Sequence, residues 1–193
     1  KGHKVTVLCG MPNYPYGKFF DGYKNQWYKK EILSKNLIII RSGVWANNRQ
    51  STFKLLGNYL SFVFTGLINS FRIKNYDLVI ISSPPLFVGI IAIVLKKIKK
   101  CKVLLDIRDI WPESVVALGG LKSDFLLKMG LWLEMKIYNN VDGYIFPVPG
   151  FSNYFKDNFP EESKKPQFHL MNGVNEDFIN KSNKTIGNNF FTV

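Results

Sequence analysis

Residues 77–109 read DLVIISSPPLFVGIIAIVLKKIKKCKVLLDIRD. Two apolar, β-branched runs, Asp77 to Ser82 and Val103 to Ile107, flank a longer apolar stretch, Leu86 to Lys99, that begins after Ser-Ser-Pro-Pro and ends in lysines. Both runs are apolar at odd and even positions alike, the pattern of parallel strands covered on both faces. A strand, a helix and a second strand in this order predict a parallel α/β sheet.

The alternation continues outward in both directions. Further strands are predicted at Val5 to Cys9, Leu37 to Ser42, Gly143 to Val148 and Gln167 to Met171, and further helices at Thr52 to Lys74, Ser123 to Asn140 and Phe151 to Asn158. There is no internal repeat and no low-complexity segment. The 193 residues fit one domain, and 46% hydrophobic with 15% aromatic residues excludes the composition of a disordered chain. Two cysteines, Cys9 and Cys101, exclude a disulfide framework and are expected as reduced core thiols beside strands.

Charge is spread unevenly. The net +12 arises from 17 Lys and Arg against three acids through Leu105, net +14, and nine against eleven from Asp106 onward, net −2. A field of that sign attracts phosphates, whether of nucleic acid, anionic lipid or a phosphorylated substrate. Lys96 to Lys102, KKIKKCK, places five lysines in seven residues at a predicted helix end. Capping of the helix dipole accounts for some of them, and an anionic membrane surface, at ~1 kcal/mol per lysine, is the partner the rest suggest. Nucleic acid is not expected, because no zinc-finger, helix-turn-helix or RNP-type pattern accompanies the charge.

The segment Leu55 to Phe71 carries no charge and is flanked by Lys54 and Arg72. It falls short of the ~20 apolar residues of a spanning helix. Asn58, Ser61, Thr65 and Asn69 recur three or four apart and make a narrow polar stripe on an otherwise apolar cylinder. Two readings stay open: a largely buried helix covering the sheet, or an in-plane helix dipping into a bilayer.

Ligands of open α/β sheets sit at the carboxyl ends of the strands. After the first strand comes GMPNYPYG, residues 10–17, where Tyr14 and Tyr16, with Phe19 just beyond, offer flat apolar faces suited to sugars or isoprenoid chains, or Pro-Asn-Tyr-Pro simply forms a rigid loop. After the third comes Ser82-Ser83-Pro84-Pro85, either an ordinary helix start capped by serine or an anion site at a helix N-terminus. The fourth strand runs into Asp106-Ile107-Arg108-Asp109-Ile110-Trp111-Pro112-Glu113-Ser114. Three carboxylates and a guanidinium gather there, either as a structural pair of Arg108 with Asp106 or Asp109, or as a site supplying a general base, a hydroxyl anchor and a cation for phosphate. No GxGxxG, Walker or CxxC motif occurs, and His3 and His169 share no ligand spacing, so no metal is expected.

The runs GHKVTVLCGMPNYPYGKFFDGYK, SSPPLFVG, DIRDIWPES, VPGFSNYF and HLMNGVNEDF, in this order, resemble the amino-terminal half of a family 4 glycosyltransferase of the bacterial subgroup that builds O-antigen, capsule and colanic-acid-like polysaccharides. The resemblance implies a Rossmann-like acceptor-binding domain over residues 1–171, truncated at both ends and lacking a first strand and helix, as half of a retaining GT-B enzyme. Residues 172–193 would then be the crossing toward a donor-binding domain. It further implies a lipid-linked saccharide acceptor, a nucleotide-sugar donor with uridine diphosphate as the expected nucleotide, no cofactor, and a peripheral position on the cytoplasmic face of the cell membrane. By the same resemblance Asp109 and Arg108 face the reaction centre, and Ser83, Pro84, Asp106, Trp111, Glu113, Asn13 and Tyr14 contact the acceptor. The family's paired glutamates fall outside this sequence, so the chain by itself is expected to be inactive. Wider relatives place a histidine near the position of Arg108 and Asp109, which this sequence lacks.

Overall fold

The computed structural model describes residues 2–47, 51–74, 76–110 and 124–173. Its strands are β1 (Val5–Gly10), β2 (Tyr28–Ser34), β3 (Leu37–Ser42), β4 (Leu78–Ser83), β5 (Lys102–Ile107), β6 (Gly143–Phe146) and β7 (Gln167–His169). The helices are α1 (Thr52–Ser70), α2 (Gly89–Lys99), α3 (Asp124–Asn140) and α4 (Gly150–Asn158). Short 3-10 turns stand at Leu86–Val88 and Glu162–Lys164.

The fold is mixed α/β. A four-stranded sheet, β4-β5-β6-β7, is parallel throughout and flanked by helices, as in Rossmann-like proteins. The remaining strands form a second sheet, β1-β3-β2, in which β1 and β3 are parallel. β2 is unforeseen in the sequence reading. It pairs antiparallel with β3 across the two-residue turn Lys35-Asn36, and its polar face is held by Glu31, which accepts from Arg41 Nε at 2.9 Å and Lys29 Nζ at 3.1 Å. Those hydrogen bonds hold the Glu31 carboxyl below its usual range although burial opposes them.

The two-sided burial expected of the apolar strand runs is corrected for β4 and is absent from β1 as well. Val5 and Val7 on β1 are 48% and 40% exposed, and Leu78 and Ile80 on β4 are 48% and 56% exposed. α1 packs on β1 and β3, and α2 packs on β4 and β5 while touching both α1 and α3. The principal core lies beneath α2 and α3. There Leu86, Ile91, Leu95, Val103, Leu105 and Ile137 are nearly inaccessible, and the rings of Tyr138, Tyr144, Phe155 and Phe159 meet edge to face or tilted. Each such ring contributes about 1.5–3 kcal/mol through burial.

α1 lies on its sheet with the polar stripe inward. Asn58, Thr65 and Asn69 are buried and answer backbone groups that the ends of β2 and β3 leave without ladder partners. Asn58 Nδ2 donates to Trp45 O at 2.8 Å, Thr65 Oγ1 to Gly43 O at 2.6 Å, and Asn69 Nδ2 to Trp27 O at 2.7 Å and Ser42 Oγ at 3.0 Å. Ser61 Oγ accepts from Trp45 N at 2.8 Å.

The lysine run has structural work. Asp142 accepts from Val103 N at 2.9 Å, Lys96 Nζ at 3.1 Å and Lys102 Nζ at 3.3 Å, which ties the end of α2 to the start of β5. Lys100 takes a left-handed conformation, φ 54°, and its N–H returns to Lys96 O to close α2. Lys97, Lys99 and Lys100 remain exposed.

Candidate functional site

The carboxyl ends of β4 and β5 bring together the charges singled out in the sequence. Ser82 and Asp106 are directly paired across the two strands. Oδ2 of Asp106 accepts from both Ser82 Oγ and Arg108 Nε, the latter at 2.8 Å. Arg108 N donates to Ser83 O at 2.9 Å, so the β4–β5 ladder continues one residue past β5. The guanidinium then turns outward, and its Nη1 donates to Asn172 Oδ1 at 3.0 Å.

Of the two ion pairs open in the sequence, the structure makes Arg108–Asp106. Asp106 is nine-tenths buried, whereas Arg108 is half exposed. Asp109 is exposed and, among the described residues, has neither a hydrogen bond nor an ion pair. The site thus presents a fixed cation with an exposed carboxylate next to it in sequence. Such a pair can hold an anionic group and accept a proton from a hydroxyl.

A cleft of about 320 Å³ opens where β1 and β4 end. Residues 10–14 after β1 form one wall, Val44 with Asn58, Tyr59 and Phe62 of α1 another, and Pro85 after β4 a third. Its size falls at the lower end for small-molecule sites. Asn13 is buried; its Nδ2 donates to Met11 O at 2.8 Å, while its Oδ1 has no partner among the described residues. A buried amide oxygen without a partner is costly to leave so, at about 1–3 kcal/mol, and Asn69 Oδ1 on α1 is in the same position. Tyr14 stands at the rim, 69% exposed.

The Ser-Ser-Pro-Pro turn differs from its prediction. The Ser83–Pro84 and Pro84–Pro85 bonds are cis, Pro85 occupies the position before the 3-10 turn without a side-chain cap, and α2 starts only at Gly89. Ser83 therefore neither caps a helix nor opens a phosphate cradle there. It is buried, and its carbonyl anchors Arg108. Pro85 lines the cleft, whereas Pro84 is exposed and does not. Trp111 and Glu113 lie outside the described residues, as do the segment from Val174 and most of the expected crossing region.

No family model and no curated protein matches the chain.

Tyr59, Phe62 and Asn58 were not foreseen as part of the cleft. Only Asn58 carried a signal, as a member of the polar stripe of α1. Among the described residues no group of His, Cys, Asp and Glu side chains could hold a metal ion. Cys9 lies 3.6 Å from Arg41 Nη1 on β1, and burial raises its thiol pKa although Arg41 opposes the rise. Burial likewise raises that of Cys101, so neither thiol is activated as a nucleophile.

Proposed function

We propose that this chain is the acceptor-binding side of a retaining glycosyltransferase that moves a sugar from a nucleotide-sugar donor to a lipid-linked saccharide in bacterial surface-polysaccharide synthesis. The observation that carries the reading is the cleft between β1, α1 and β4. It offers aromatic walls where β1 and β4 end, and the Arg108 and Asp109 charges follow the end of β5, the strand paired with β4. Rings of Tyr14, Tyr59 and Phe62 suit the apolar faces of a sugar or an isoprenoid, Asn13 suits a sugar hydroxyl, and Arg108 suits a diphosphate. In this reading Asp109 faces the reacting hydroxyl, the donor and its nucleotide are held by a second domain of a longer polypeptide, and the protein works peripherally on the cytoplasmic face of the membrane. Among the described residues no helix is long and apolar enough to cross a membrane.

A second reading, a non-catalytic phosphate-binding module, is favoured by the half-exposed guanidinium alone. The test is saturation-transfer NMR of the chain with a short-chain polyprenyl-diphosphate-linked N-acetylhexosamine. Transfer to sugar and isoprenoid protons, lost in Asn13→Ala, is expected. Complete displacement by inorganic pyrophosphate with no transfer to the sugar would establish the second reading, and no transfer at all would refute both. In the longer polypeptide, undiminished glycosyl transfer by Asp109→Asn removes that residue from the mechanism.

A further inference from the structure

α1 is amphipathic in the reverse sense. Its buried side carries Asn58, Thr65 and Asn69, while its outer side carries Phe53, Leu60, Phe64, Ile68 and Phe71, between 37% and 76% exposed. These five positions fall on one stripe along ~28 Å of helix. Trp45 meets Phe53 and Trp27 meets Phe64, each edge-on at 6.3 and 5.9 Å, and both indoles are about half exposed, which widens the stripe into an aromatic patch.

The charges around the patch have one sign. Between Glu31 and Asp77 the sequence contains no acidic residue, and Lys54, Arg72 and Lys74 bracket the helix. Lys99 Nζ sits 6.0 Å from the Phe71 ring, and Arg72 lies over Tyr28. Beyond α2, which touches both neighbours, α3 repeats the pattern: Phe125, Met129 and Trp132 are exposed, and Lys136 stands over Trp132. A protein partner of matching shape would have to supply acids across this whole layer. A bilayer containing anionic lipid supplies both an apolar interior and a negative surface, and indoles favour the boundary between them.

We infer that the outer face of α1 is seated in the surface of an anionic bilayer, the helix lying in the interfacial plane. This deepens the membrane part of the proposed function and stands on α1 rather than on the cleft. The inner side of the same helix supplies Asn58, Tyr59 and Phe62 to the cleft, so the seat places that cleft beside the lipid.

The test uses phosphatidylcholine vesicles with and without phosphatidylglycerol, free of any lipid-linked saccharide, so that its outcome is independent of acceptor binding. The chain is expected to sediment with the anionic vesicles, to be released by salt, and to lose affinity about tenfold or more in the triple variant Phe53→Ser, Leu60→Ser, Phe64→Ser. Should that variant misfold by circular dichroism, quenching of the wild-type tryptophans by lipid with brominated acyl chains serves instead, and quenching supports the seat. Equal sedimentation of variant and wild type, no quenching, or a vesicle-free dimer that the variant dissociates would each overturn it.

Discussion

Arg108 reaches Asn172 across 64 residues of sequence, Nη1 to Oδ1 at 3.0 Å, and so joins the end of β5 to the segment that follows β7. The contact is possible because Asp106 and the Ser83 carbonyl fix both the side chain and the backbone of the arginine. The cation is held in place, but half of it stays in water.

Removing Arg108 and removing its carboxylate partner should therefore differ. Arg108→Ala leaves the nine-tenths-buried Asp106 carboxylate with Ser82 as its remaining partner and is expected to cost about 1–3 kcal/mol. Asp106→Ala leaves the exposed Ser82 hydroxyl and the half-exposed guanidinium to water and is expected to cost less, at most about 1 kcal/mol. Urea denaturation of the two variants measures the difference; equal losses would contradict this account.

Asn69 is the most deeply placed residue of the α1 stripe and holds two acceptors at once. Asn69→Leu, although it makes the helix more apolar, should destabilise the protein by roughly 2–4 kcal/mol because Trp27 O and Ser42 Oγ lose their donor in a buried setting. The outward Leu60→Asn should change stability by less than about 0.5 kcal/mol. Thermal unfolding of the pair provides the comparison.

Asp142 gives stability an acid limit. Burial raises its carboxyl pKa, but the Val103 N–H and the Lys96 and Lys102 ammonium groups outweigh that and bring it below the usual value. The folded state thus prefers the ionised form, and its contribution is present above the ordinary aspartate pKa of about 3.9 and lost as pH falls through the lower folded value. Asp142→Asn should cost about 1–2 kcal/mol at pH 7 and flatten the decline between about pH 5 and pH 2. Denaturation curves over that range test the sign: an Asn variant that loses stability on acidification as steeply as wild type would refute it.

The strands most legible in the sequence were those whose residues have one kind of neighbour. β4, β5 and β6 lie in or beside the main core, and their apolar runs match it. β2 was missed because its character comes from pairing: YKKEILS is unremarkable until Glu31 meets Arg41 and Lys29 and the Lys35-Asn36 turn folds it onto β3. A two-residue turn containing asparagine between β-branched stretches was the available signal. The site was legible to the same extent. Asp106 and Arg108 are adjacent to a clear strand end, and Asn13 follows another, whereas Tyr59 and Phe62 reach the cleft only through the packing of α1. Which acid Arg108 would choose depends on the Ser82–Asp106 register, and one-dimensional spacing does not contain that.

α1 carries a demand on nearly every side. Its inner polar positions complete the hydrogen bonding of another segment, the next arc lines the cleft, and Gly57 leaves no room for a larger side chain, since an added Cβ would stand 2.2 Å from the Trp45 ring. A solvent-facing helix ordinarily offers a third or more of its positions to neutral drift. This one offers few, so a mutational scan of residues 52–70 would look like that of a core element, and efforts to make the protein more soluble by adding polarity would succeed only along the single stripe where the helix is apolar and bare.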